Sequence, residues 1–71
     1  MQNRVVRIKV DKIIELAEKK NLKIGTLEDK AKVGNGIIKK WRNRNPKLDS
    51  LVAVADYLGV AYWKLVERVD K

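Results

Sequence analysis

Apolar positions recur along the 71-residue chain in several stretches whose spacing matches the turn of an α-helix. Val10, Ile13, Ile14 and Ala17 lie at helical intervals, with Asp11, Lys12, Glu15, Glu18, Lys19 and Lys20 mostly on the opposite side. This predicts an amphipathic helix fading near Asn21, a residue that tolerates a helix end, with Leu22 and Ile24 turning inward at the connection. A second, shorter helix is expected where Leu27 and Ala31 share a face and Glu28, Asp29, Lys30 and Lys32 take the polar one. Thr26 and Asp29 make a weak capping-box-like start.

Gly34-Asn35-Gly36 interrupts that pattern, because Gly and Asn accept positive φ and hold tight turns. Helical periodicity resumes with Ile37, Ile38 and Trp41, predicting a third helix at about 35–43. The single proline, Pro46, places a loop over 43–47. Leu48, Leu51, Val54, Ala55 and Leu58 then mark a fourth helix that Gly59 is placed to end, and a fifth short helix is expected at about 62–68 around Leu65 and Val66. Residues 4–10 alternate Val6, Ile8 and Val10 with Arg7 and Lys9, a pattern that suits an extended segment as well as an early helix. An N-terminal arm over 1–9 that pairs across a dimer or lies along DNA is expected, since a lone strand needs a partner edge.

So short a chain supports one core, so residues 10–71 are expected to form one all-α domain. The absence of Cys and His removes thiolate and imidazole chemistry and the usual zinc sites. The carboxylates Glu15, Glu18, Glu28, Asp29, Glu67 and Asp70 lie among basic residues and read as solvated charge. No enzymatic activity, cofactor, metal or small-molecule ligand is therefore expected. No apolar run approaches the ~18 residues of a membrane span and no signal-peptide block is present, which predicts a cytoplasmic protein without a membrane partner.

Charge changes the picture more. Seventeen Lys and Arg against nine Asp and Glu leave a net +8, a field that attracts polyanions. Position decides which one. On a helical wheel, Ile37, Ile38 and Trp41 gather on one side of the third segment, while Asn35, Gly36, Lys39 and Asn43 gather on the other, flanked by Lys40, Arg42 and Arg44. Asn can bond adenine bidentately and Lys can bond guanine O6 and N7, whereas Arg42 and Arg44 at the far end suit phosphates. A helix directly after a tight turn is also how a recognition helix is presented to the major groove, and Gly36 allows close backbone approach.

The continuous series from Leu22 through Trp41, followed by Asn45-Pro46-Lys47-Leu48-Asp49-Ser50-Leu51 and Ala55-Asp56-Tyr57-Leu58-Gly59-Val60, resembles the phage repressor and Cro-like (XRE-like) helix-turn-helix family over about residues 10–67. The ordered positions Leu27, Val33, Ile38, Trp41, Pro46-x-Leu48, Leu51 and Leu58-Gly59-Val60 carry the likeness. The resemblance implies a five-helix bundle of the lambda-repressor-like type, a transcriptional regulator and most often a repressor. It places Asn35, Gly36, Lys39 and Lys40 against bases. Many relatives are dimers on palindromic operators with half-sites roughly 34 Å apart, so a homodimer through the C-terminal helix or the N-terminal arm is expected.

Three positions depart from the family pattern. Lys23 and Lys47 stand where relatives often carry a helix-starting Ser, and Glu28 stands where a small residue is usual inside the second helix. Replacing a Ser cap costs about 1 kcal/mol, and Lys near a helix N-terminus opposes the dipole. Since these two helix starts face the DNA backbone in relatives, Lys23 and Lys47 are expected to exchange capping for phosphate contact; alternatively the second helix starts only at Thr26. Lys23, Thr26 and Lys47 thus join Asn35, Gly36, Lys39, Lys40, Arg42, Asn43 and Arg44 in the expected DNA-binding set. Glu28 raises the question of how tightly the two motif helices pack.

Two rival functions stay open. An antitoxin- or coactivator-like protein-interaction module would keep the fold and bind DNA weakly, relying on Tyr62 or Trp63, which adjoin and cannot both be buried in so small a domain. An RNA-binding role needs exposed aromatic platforms, and with Trp41 expected in the core few remain.

Overall fold

The computed structural model describes residues 5–69, and residues 1–4 of the expected arm lie outside that range. The order of elements is strand β1 (Val6–Ile8), helices α1 (Val10–Lys19), α2 (Ile24–Ala31), α3 (Ile37–Lys40) and α4 (Leu48–Leu58), a single 3-10 turn (Tyr62–Leu65) and strand β2 (Val66–Arg68). No helix among the described residues is long and apolar enough to cross a membrane.

α1, α2 and α4 stop in the same way. After each, a residue with positive φ reverses the chain: Asn21 (φ 59°), Lys32 (φ 59°) and Gly59 (φ 77°). The next amide then reaches back five residues, Leu22 to the Ala17 carbonyl, Val33 to Glu28 and Val60 to Ala55, at 2.9, 3.1 and 3.0 Å. This is the Schellman arrangement, which satisfies late helical carbonyls and swings an apolar residue inward. Leu22, Val33 and Val60 accordingly pack on the core. Gly59 and Asn21 adopt the left-handed conformation at little cost, whereas for Lys32 it costs roughly 1–2 kcal/mol.

The start of α2 differs from expectation. α2 begins at Ile24 with Lys23 as its N-cap, so Thr26 is its third residue and not a cap. α4 begins at Leu48 after Lys47. Neither lysine offers a side-chain acceptor to the first amides.

Two further expectations are corrected. The fifth helix is only the 3-10 turn, after which the chain extends into β2. The N-terminal segment is not a free arm from Val6 to Ile8: β1 pairs antiparallel with β2 in the register Val6↔Arg68, Arg7↔Glu67, Ile8↔Val66. Backbone bonds continue the pairing at both ends, Lys9 N–H to the Leu65 carbonyl (2.8 Å) and Val69 N–H to the Val5 carbonyl (2.9 Å). The missing partner edge thus comes from the same chain. The described residues form four α-helices and a two-stranded sheet, not an all-α five-helix bundle. Ile8 carries the sheet's inner side into the core, which also holds Leu65 of the 3-10 turn, while the Arg7 Nε donates to Glu67 Oε2 at 2.7 Å on the outer side.

Packing follows the apolar periodicity. α2 lies against α1, α3 and α4, and Ile13, Leu27, Ile38, Trp41, Val54 and Leu65 are fully buried at the centre. Trp41 is 1% exposed, as its place on the apolar side of the wheel requires. Leu48 is the exception: at the first position of α4 it is 58% exposed.

Candidate nucleic-acid interface

The turn Gly34-Asn35-Gly36 and helix α3 form the centre of the candidate site. Gly34 and Gly36 have φ of +100° and +75°, so the backbone reverses twice within three residues and leaves Asn35 exposed at the tip. Asn35 and Gly36 therefore belong to the turn, with Gly36 as N-cap, and α3 is shorter than the expected 35–43. Its winding continues beyond Lys40 as tighter bonds, Trp41 N–H to the Ile38 carbonyl (3.0 Å) and Asn43 N–H to the Lys40 carbonyl (3.0 Å). With Ile38 and Trp41 buried beneath, Lys39, Lys40 and Asn43 are exposed.

Glu28 holds this arrangement together, and the sequence reading placed it wrongly on a polar, solvated face. It is 2% exposed, the one buried charged side chain among the described residues. Its Oε1 accepts the Gly36 N–H and its Oε2 the Ile38 N–H, each at 2.9 Å. A residue at the start of a helix usually supplies such an acceptor from its own side chain. Gly36 has none, so the acceptor comes from α2, eight residues upstream. Glu28 therefore fastens the two motif helices to each other and answers the packing question its size raised. Two signals were present in the sequence: Glu28 lies 100° from Leu27 on the wheel, beside the apolar arc, and the helix after the turn had no capping side chain of its own.

The remaining cations divide by location. Arg44 lines an open groove of about 410 Å³ with Val33, Ile37, Asn45, Lys47 and Ser50, which brings the end of the α3 winding and the start of α4 together. Arg42 turns the other way, its Nη2 donating to Asp11 Oδ1 of α1 at 2.8 Å. Lys23 and Thr26 are exposed in the first turn of α2. Asn45 Nδ2 donates to the Val6 carbonyl at 3.2 Å, tethering the loop after α3 to β1.

Electrostatics single out this part of the molecule. Residues 30–48 contain seven of the seventeen Lys and Arg and none of the nine Asp and Glu, so the rest of the chain, with ten cations against nine acids, is close to neutral. All seven are exposed: Lys30, Lys32, Lys39, Lys40, Arg42, Arg44 and Lys47. Elsewhere, Trp63 is 65% exposed and meets Tyr62 edge-on, with ring centroids 5.4 Å apart.

No protein-family model matches the chain. No curated protein sequence matches it either. Among solved structures, the transcriptional regulator VanUg superimposes with a TM-score of 0.74 at 22% identity, over 100% of this chain and 96% of that one. From β1 to β2, the chain thus has the fold of that regulator.

Proposed function

We propose that this protein is a sequence-specific double-stranded DNA-binding transcriptional regulator, a repressor, which sets the turn 34–36 and α3 into the major groove. The observation that carries the reading is the concentration of nearly all the net charge on residues 30–48, around an exposed turn-helix unit bearing Asn35, Lys39, Lys40 and Asn43. A cationic rim supplies phosphate contacts that set register, and amide and ammonium groups at the centre read base edges. Arg44 and Lys47, around one groove, suit the backbone on one side of the reading helix. VanUg, which has the same fold, is a transcriptional regulator, and this supports the reading.

In this proposal one copy occupies one half-site. Of the two segments expected to join a dimer, residues 6–8 of the N-terminal one and 66–68 of the C-terminal one pair with each other within the chain. Selection from a pool of random duplex DNA at about physiological salt tests the proposal. The wild-type protein should enrich one motif, and Asn35→Ala or Lys40→Ala should change the base preference at one or two positions within it. Enrichment of a palindrome would add a second copy to the complex. DNA retained only at low salt, with no motif, would refute sequence-specific regulation.

The exposed Tyr62–Trp63 pair favours a second reading, a protein-interaction module on the same fold. In that case Trp63→Ala abolishes partner capture, and duplex binding shows no sequence preference.

A further inference from the structure

A buried carboxylate beneath a cationic surface is costly unless it is fully hydrogen-bonded. Glu28 meets that condition with backbone amides alone: among the described residues no Lys or Arg forms an ion pair with it. The amides it holds are those of Gly36 and Ile38, on either side of the step from turn to helix. Charge-assisted bonds of this kind are about twice as strong as neutral ones. Two of them to one rigid carboxylate fix the direction in which α3 leaves the turn. Gly34 and Gly36 would otherwise leave this segment free to adopt many backbone conformations.

We infer that Glu28 is the residue that sets DNA specificity from behind the interface: by clamping the Gly36 and Ile38 amides it holds Asn35 and Lys39 in the one orientation that reads bases. Glu28 itself touches no DNA and is a positioning residue. The inference rests on the DNA-reading function proposed above. It separates two properties that a surface lysine would change together. Phosphate attraction depends on the exposed cations and survives loss of the clamp, whereas base discrimination requires donors and acceptors placed to within a few tenths of an ångström, and does not.

The test compares wild type, Glu28→Ala and Glu28→Gln, each first shown to unfold cooperatively. Two quantities are measured: exchange rates of the Gly36 and Ile38 amide protons, and affinity for the selected duplex relative to a scrambled duplex. In Glu28→Ala both amides should exchange faster and discrimination should fall by about tenfold or more, the worth of one well-made base contact. Binding to the scrambled duplex at low salt should be preserved. Glu28→Gln retains one acceptor oxygen but turns an N–H2 toward the second amide, so it should lie between wild type and alanine in both measurements; it also carries the test if the alanine variant does not fold. Unchanged discrimination in a folded Glu28→Ala protein, or amides that stay as protected as in wild type, would overturn the inference and leave the proposed function intact. A wild-type protein that prefers no duplex would bring down the proposed function, and this inference with it.

Discussion

Lys32 illustrates how a single residue can be legible in type and not in conformation. Its charge and exposure follow from its place on the polar side of α2, but its left-handed backbone (φ 59°) emerges only because Val33 must swing back onto the core and bond the Glu28 carbonyl. Lys32→Gly should therefore stabilise the domain by about 1 kcal/mol, raising the thermal midpoint by about 4–8 °C in a chain of this size. Thermal unfolding followed by circular dichroism checks it; an unchanged or lowered midpoint would mean that the lysine side chain compensates the backbone. Trp41 shows the opposite case. One wheel position, three residues after Ile38, was enough to put it in the core. Glu28 was misread because residue type outweighed position: a carboxylate was assigned to solvent although its angular place bordered Leu27, and the amides it serves lie in the next element.

At the scale of elements, periodicity located the four helices because each buries an apolar stripe long enough to count. Of the two strands only β1 left a mark, in the alternation of Val6, Ile8 and Val10 with Arg7 and Lys9. Its partner was hidden, because Ile8 and Val66 meet across 58 positions of sequence, a pairing that no local pattern encodes. Helix-like spacing at 62–68 gave way because β2 gains a ladder with β1 that a fifth helix would forgo. The sheet is expected to stabilise through its buried side and little through its exposed one. Ile8→Ala should cost about 2–5 kcal/mol, the usual range for truncating a buried isoleucine. Arg7→Ala, which removes an exposed ion pair with Glu67, should cost less than about 1 kcal/mol. Urea titrations of the two variants decide the matter, and equal losses would contradict this division of labour.

For the molecule as a whole, the uneven charge is the property that composition alone concealed: a net +8 reads as general basicity until it is traced to residues 30–48. Lys47 belongs to that stretch and Lys23 lies before it, at the uncapped starts of α4 and α2 respectively. Replacing both with Ser should restore local caps and so raise thermal stability, by about 1 kcal/mol for each cap formed. If both lysines neutralise phosphates, the same double variant should flatten the dependence of log affinity on log salt by about 1.8, at ~0.9 per contact. A more stable protein with an unchanged slope would remove both lysines from the interface. The exposure of Asn35, Lys39, Lys40 and Asn43 was legible in the sequence, where a turn and a wheel sufficed. The directions of the two arginines were not, since Arg42 reaches Asp11 on α1 and Arg44 lines a groove with Lys47 and Ser50. Those directions depend on how helices pack, which spacing along one helix does not specify.

Whether DNA lies against the turn 34–36 and α3 is decided by an amide NMR titration of the protein with its selected duplex at about physiological salt. The large shifts should fall within 23–26 and 34–47, and the amides of β1, β2 and the 3-10 turn should stay nearly fixed. Shifts centred on Tyr62 and Trp63, with Asn35, Gly36 and Lys39 unmoved, would contradict that placement.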